Sequence, residues 1–268
     1  ANKFCFCIKT FQKIKKIIMK DVKAKKHLGQ HFLNDESIAL KITNLISKDA
    51  RNVVEIGPGM GILTKFLLEK KYSTQAVEID QESVFYLRLN YPKLDIIASD
   101  FLKLNIEDTF SFNFCLIGNF PYNISSQILF KSYENRNNIN EIIGMFQKEV
   151  AERIACKKGK KRGILSVLMQ TFYDVEYCFT VDEHVFNPPP KVKSGVIRLT
   201  RNKRKELSVE GTKFKRIVKA SFNQRRKTVR NALKPFKFIN EEEIKDLLTL
   251  RAEQLSVDDF IKITNHVN

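Results

Sequence analysis

The segment Val53-Val54-Glu55-Ile56-Gly57-Pro58-Gly59-Met60-Gly61 leaves few folds open to this chain. A short apolar run entering a Gly-x-Gly-x-Gly turn predicts a buried strand, and Ile62 to Lys70, with Ile62, Leu63, Phe66 and Leu67 inward, predicts the helix after it. Glycines at such a turn let the backbone approach a ligand at the helix N-terminus. A dinucleotide fingerprint would need glycine at position 62, where isoleucine stands. With Glu55 ahead of the turn, the pattern favours a cofactor without a pyrophosphate.

Two further strands end in acids. Gln75 to Asp80 brings Glu78 to the close of the Ala76-Val77 run, where an acid accepts from both hydroxyls of a ribose; Glu78 is better placed for this than Asp80. Asp95 to Asp100 places Asp100 to accept from an adenine amino group, with Phe101 or Leu102 against the ring. Phe114 to Ile117 is a fourth strand, and after Gly118 it delivers Asn119-Phe120-Pro121-Tyr122 to the end of the sheet where α/β folds bind ligands. Asn119 offers an amide oxygen, Pro121 stiffens the turn and keeps Phe120 extended, and Tyr122 offers a flat face to a base. Any one of the acids alone reads as a strand-end cap. Three at successive strand ends beside a glycine turn read as a nucleoside site.

The remaining pattern fills out the sheet. A helix is expected over Glu36 to Ile46 with Asn34 or Asp35 as its cap, another from Ser125 or Ser126, a strand at Ile142 to Phe146 and a helix at Lys148 to Cys156. Two last strands, Ile164 to Val175 or Glu176 and Gly195 to Leu199, are joined through Phe186-Asn187 and the rigid Pro188-Pro189-Pro190; Phe186 either lines the pocket with Tyr122 or belongs to the core. Seven strands alternating with helices predict a mixed, mainly parallel three-layer α/β fold. After Arg201 the signal becomes helical: Lys213 to Phe222, Arg225 to Leu233, Glu241 to Leu248 and Val257 to Ile263. We therefore divide the chain into a basic extension (1–18), a sheet domain (19–201) and a small helical domain (202–268), with Met19 read as the start of the chain proper.

Charge adds a partner. The 268 residues carry a net charge of +17, and such an excess favours a polyanion through counterion release and long-range steering. It is concentrated in the arm around Lys23 to His31, in the loop Lys157, Lys158, Lys160, Lys161 and Arg162, and in the helical part at Arg225, Arg226 and Lys227. Five cysteines without a C-x-x-C pair and four scattered histidines indicate neither a disulfide framework nor a metal site, and fit a reducing compartment. No apolar run approaches the ~18 residues of a membrane span.

Several segments together resemble the KsgA-type small-subunit ribosomal RNA adenine dimethyltransferases: Gly29-Gln30-His31-Phe32-Leu33-Asn34-Asp35, Glu55 to Gly59, Asn119-Phe120-Pro121-Tyr122-Asn123-Ile124-Ser125, Gln147 to Val150, Phe186 to Val192 and Phe222 to Leu233. The resemblance runs from about Lys23 to about Leu233. It implies a class I, Rossmann-like methyltransferase sheet with a helical RNA-binding domain. It also implies S-adenosylmethionine held by His31, Leu33, Gly57, Gly59, Glu78, Asp100 and Asn119. Catalysis falls to Asn119, Phe120, Pro121 and Tyr122. His31 stands where the family commonly has asparagine, and Phe120 where it has leucine or isoleucine; backbone contacts at both positions would make the changes tolerable. The implied substrate is a pair of adjacent adenosines in a hairpin loop near the 3′ end of small-subunit RNA, met in an immature subunit by a cytoplasmic monomer. Rival readings are the related large-subunit dimethyltransferase of the macrolide-resistance type and a non-catalytic RNA-binding assembly factor.

Overall fold

The computed structural model describes residues 22–268, so the basic extension 1–18 and Met19 lie outside the described residues. After a short 3-10 turn (Lys26–Leu28) come β1 (Phe32–Leu33), α1 (Glu36–Thr43), β2 (Asn52–Ile56), α2 (Ile62–Glu69), β3 (Ser73–Glu78), α3 (Gln81–Asn90), β4 (Asp95–Ala98) and α4 (Ile106–Thr109). The chain continues through β5 (Phe114–Asn119), α5 (Ser125–Glu134), β6 (Ile139–Gln147), α6 (Lys148–Ala155), α7 (Ile164–Phe172), β7 (Tyr173–Val181), β8 (Phe186–Asn187) and β9 (Ser194–Arg201). It closes with α8 (Gly211–Asn223), α9 (Val229–Ala232), α10 (Lys245–Thr249) and α11 (Val257–Asn265). Of the two candidate caps of α1, Asp35 does the capping, accepting from the Ile38 amide at 3.1 Å.

One seven-stranded sheet has the order β4-β3-β2-β5-β6-β9-β7. The first five are parallel, and β9 runs antiparallel to both β6 and β7. Strands buried on both faces need apolar residues at every position, which is why β5 reads as a continuous run. Its Leu116 enters one core cluster with Val54, Val77 and Ile142, while Cys115 and Ile117 enter the other with Val53, Leu63 and Ile143. The larger cluster does not stop at the sheet. It continues through Met169 and Phe172 into Phe214, Phe222 and Phe260 of the C-terminal helices.

Two expectations fail. Ile164–Phe172 is a helix, and the strand begins only at Tyr173. A mostly apolar run carries little period that tells a buried helix from a buried strand, and here Ser166, Val167, Leu168, Met169, Thr171 and Phe172 of the helix are all buried. Gly163 starts it, its amide donating to Ser166 Oγ at 2.9 Å. The helix expected over Arg225 to Leu233 shrinks to Val229–Ala232. Residues 224–227 form a turn closed by the Lys227 amide on the Gln224 carbonyl at 2.8 Å, and Thr228 is extended.

A largely buried ion pair ties the turn after α1 to the sheet. The Glu141 carboxylate accepts from the Ser47 amide at 3.0 Å, Ser47 Oγ at 2.9 Å and Arg198 Nε at 2.7 Å; its side chain is 4% exposed. Removing one partner of such a pair strands the other, so Arg198→Met should destabilise by about 3 kcal/mol. A shift of the urea midpoint measures this, and Glu141→Gln in the same background should recover most of the loss.

Candidate active site

Because β2 to β5 are parallel neighbours, their C-terminal ends lie side by side, and the residues that follow them meet. Gly57, Gly59, Glu78, Asp100, Asn119, Phe120, Pro121 and Tyr122 line one cavity of about 270 Å³, with His27 to Phe32 of the N-terminal arm closing it. His27 and Tyr122, 95 positions apart in sequence, thus share one wall, by topology alone.

The glycine turn makes the close approach possible. Gly57 and Gly59 have φ of +63° and +57°, and a Cβ on Gly59 would stand 2.7 Å from the Phe32 ring. The Gly59 amide donates to Glu78 Oε2 at 3.1 Å, and the Asp80 amide to Oε1 at 2.8 Å. Glu78 is 3% exposed, and burial pushes its carboxyl above the ordinary value against those two donors. Each oxygen keeps a lone pair, so the carboxylate can accept from two neighbouring hydroxyls. Asp80, by contrast, is spent: it takes Lys25 Nζ and Ser83 Oγ (2.9 Å) and caps α3. Asp100 Oδ1 accepts from the Leu102 amide at 2.9 Å and opens a 3-10 turn that sets Phe101 and Leu102 in the wall.

Asn119 Nδ2 donates to the His31 carbonyl at 2.7 Å, which leaves Oδ1 as the acceptor of that amide. The Phe120 side chain, 1% exposed, turns into the core against Phe146 at 5.3 Å, over Gly118 and Gly144. A Cβ on Gly144 would lie 2.4 Å from its ring, so the two glycines are what admit phenylalanine here. Tyr122 is held at both ends: its hydroxyl bonds Ser194 Oγ at 2.5 Å, and the His31 ring stacks on it with centroids 5.5 Å apart. His31 in turn bonds the Pro188 carbonyl through Nδ1 at 2.8 Å.

Leu33 stands apart from the main cavity. It is 4% exposed in the second core cluster, pairs with Phe186 across the β1–β8 ribbon, and borders only a small adjoining crevice with Gly57 and Asn119. Phe186, of its two expected places, takes the core. The arm segment His27 to Gln30, expected as part of a basic arm, also closes the cavity, and Ser194 is not among the residues expected at the site; neither carries a periodic or spacing signal for that place, and only proximity in space reveals it.

The chemistry of the donor set selects a ligand. The lining includes two carboxylates and, among the described residues, no lysine or arginine. A pyrophosphate would find no cation there. An adenosine carrying a positive centre fits: vicinal acceptors at Glu78, an acceptor beside an apolar slot at Asp100, and a polar amide at Asn119.

The expected RNA contacts divide. Lys157, Lys158, Lys160, Lys161, Arg225, Arg226 and Lys227 are exposed, although Lys161 pairs with Glu152. Arg162 is corrected: it is 1% exposed, with Nη1 donating to the Cys156 carbonyl at 2.8 Å and to Gln170 Oε1 at 2.6 Å, so it braces the loop from within. Arg225 Nη2 donates to the carbonyls of Lys160 (3.0 Å) and Arg162 (2.6 Å). The two basic segments are thereby joined into one patch. No helix among the described residues is long and apolar enough to cross a membrane.

A parallel sheet with a glycine turn after β2, an acid at the end of β3 and a polar tetrapeptide after β5 defines a class I S-adenosylmethionine-dependent methyltransferase. Solved structures share the fold: a dimethyladenosine transferase from Plasmodium falciparum (TM-score 0.72, 24% identity, 88% of this chain and 99% of that one) and the 23S rRNA methyltransferase ErmE (0.66, 24%, 88% and 100%). The profile of the ribosomal RNA adenine dimethylases matches residues 21–268, and the chain belongs to that family. Among its relatives, the ribosomal RNA small subunit methyltransferase A of Cytophaga hutchinsonii is 55% identical over 253 residues (92% of this chain, 98% of that protein). That of Flavobacterium johnsoniae is 56% identical over 254 residues (93% and 97%).

Glu55, at the floor of the crevice, is 1% exposed and accepts from Thr64 Oγ1 at 2.6 Å. Burial, with Glu78 nearby, pushes its carboxyl from 4.5 up to about 8. The folded value lies above the unfolded one, so the native state binds the proton more tightly, and stability should fall as pH rises from about 4.5 to about 8. Glu55→Gln should flatten that fall in urea titrations across this window; an unchanged slope would exclude Glu55 as its source.

Proposed function

We propose that this protein transfers methyl groups from S-adenosylmethionine to N6 of two adjacent adenosines in a hairpin loop near the 3′ end of small-subunit ribosomal RNA. It does so as a cytoplasmic monomer on an immature subunit. The observation that carries the reading is the orientation of Asn119, whose Nδ2 is committed to the His31 carbonyl so that Oδ1 is left to accept.

When bound, S-adenosylmethionine supplies an electrophilic methyl on a sulfonium. The chain's task lies with the nucleophile. The N6 lone pair of adenine is delocalised into the ring, and removing a proton from a neutral amine would be a poor route to it. Asn119 Oδ1 and the Phe120 carbonyl accept from the N6 hydrogens, draw the nitrogen toward tetrahedral geometry and localise its lone pair, an effect of orientation and electrostatics. Tyr122 stacks on the extruded base with the face that His31 leaves free. Pro121, whose Cδ lies 3.9 Å from where a Gly57 Cβ would be, keeps the acceptors beside the cofactor site. Glu78 binds the ribose, Asp100 the adenine amino group, and His31, Leu33, Gly57 and Gly59 contribute backbone.

Residues 19–201 form the methyltransferase domain and 202–268 the helical RNA-binding domain in this reading. The patch of Lys157, Lys158, Lys160, Lys161, Arg226 and Lys227 meets the phosphate backbone, with Arg225 as its staple. The test is incubation with labelled S-adenosylmethionine and either immature small subunits or protein-free large-subunit RNA. Dimethyladenosine on paired adenosines near the small-subunit 3′ end is expected. Label on large-subunit RNA would transfer the protein to the resistance group, and cofactor binding without label on either would favour an assembly factor.

Single variants separate the roles. Glu78→Ala should weaken cofactor binding by about 2 kcal/mol, the scale of hydrogen bonds to a charged group. Asn119→Ala should lower kcat by about a hundredfold or more with RNA binding largely kept. Equal loss of RNA affinity in both would contradict these assignments. Replacing Arg226 and Lys227 by glutamine should reduce the salt slope of RNA binding by about 2, one for each phosphate contact.

A further inference from the structure

The turn that carries Asp100 is gripped from outside the cavity. Lys131, in the last turn of α5, donates from Nζ to the Leu102 carbonyl at 2.9 Å and to the Leu104 carbonyl. The same ammonium stands 5.6 Å from the centre of the Phe101 ring. Phe101 is 3% exposed, and Asp100, Phe101 and Leu102 all line the cavity. Lys131 itself is half-buried: burial lowers its pKa, while the charges of Asp100 and Glu134 oppose the shift. The helix α5 begins at Ser125, three positions past Tyr122. One ten-residue helix thus leaves the methyl-acceptor loop at its start and reaches the adenine-side turn at its end.

A 3-10 turn of three residues has little hydrogen bonding of its own to resist displacement. A lysine donating to two of its carbonyls, with a ring face beneath the ammonium, supplies what the turn lacks. We infer that Lys131 is a positioning residue for the cofactor's adenine: by clamping the Leu102 and Leu104 carbonyls it holds Asp100 and the Phe101–Leu102 wall where the ring must sit. This rests on the methyltransferase reading above. It adds a residue that touches neither cofactor nor RNA and acts on cofactor affinity alone.

The test compares Lys131→Met and Lys131→Arg with the unaltered chain, using calorimetric binding of S-adenosylhomocysteine and of 5′-methylthioadenosine, which keeps the adenosine but lacks the amino-acid end. Lys131→Met should weaken both ligands by the same factor, about tenfold. It should raise the KM for S-adenosylmethionine likewise, with kcat at saturating cofactor within about twofold. Lys131→Arg, which keeps charge and donors, should recover to within about threefold. Three results would overturn the assignment: unchanged binding of both ligands by Lys131→Met, a loss confined to S-adenosylhomocysteine, or a fall in kcat without a rise in KM. An arginine variant as weak as the methionine one would do the same. If thermal melting shows that Lys131→Met does not fold, Lys131→Gln takes its place and must bind both ligands more weakly than Lys131→Arg. Failure of the unaltered chain to bind S-adenosylhomocysteine would instead strike the methyltransferase reading itself.

Discussion

The hydrogen bond from Asn119 Nδ2 to the His31 carbonyl is the contact on which the site depends. A primary amide has a donor end and an acceptor end, and committing one decides what the other can do. It also draws the N-terminal arm across the strand ends, where Lys25 on Asp80 and Gly29 against Asn123 keep it. From His31 the connection passes to Pro188 through Nδ1 and to Tyr122 through its ring, and from Tyr122 to Ser194 at the start of β9. Arm, tetrapeptide and proline wall are thus bound around a single polar side chain. The His31 ring gains a defined orientation because the tetrapeptide and the proline wall both converge on it.

What could be read from the chain beforehand was whatever leaves a local mark. The Gly57–Gly61 turn, the acids after β3 and β4 and the apolar run before Asn119 each have a spacing set by strand geometry, and the sheet places them as that spacing requires. The failures have a common cause. Ile164–Phe172 is mostly apolar because most of it is buried, Ser166 and Thr171 included, so its helical period is faint. Arg162 was grouped with its neighbours by charge, but charge says nothing of direction, and Cys156 and Gln170 turn it inward. Ser194 and Lys131 have no signal at all in one dimension; their partners lie 72 and 29 positions away. Secondary structure is encoded locally, whereas the second layer of a site is encoded by topology.

The charge of the chain is divided in a way that serves both ligands. A net +17 draws a polyanion from a distance, but among the described residues no lysine or arginine reaches the wall of the cavity, where Glu78 and Asp100 are the charged groups. A phosphate backbone is therefore steered to the outside, and a sulfonium to the inside. Arg225 contributes in a less obvious way, because its guanidinium is spent on backbone carbonyls of the basic loop. Holding two cationic segments together costs repulsion, and hydrogen bonds to carbonyls, which like charge does not weaken, offset it. The basic loop is thus tied to the helical part of the chain at Arg225.

Phe120 joins the two scales of the molecule. Its side chain answers to the core, fitted over Gly118 and Gly144 and edge-on to Phe146, while its main chain stands in the tetrapeptide. The identity of that residue is therefore set by packing volume and the chemistry of that position by backbone direction. This explains how phenylalanine can occupy a place where leucine or isoleucine would serve: a larger ring needs only that the facing strand positions lack a Cβ. The two glycines sit on adjacent strands in register, Gly118 opposite Gly144, so the space they open is continuous. The main-chain carbonyl proposed to accept from N6 is in this way held by a hydrophobic contact made on the far side of its own residue.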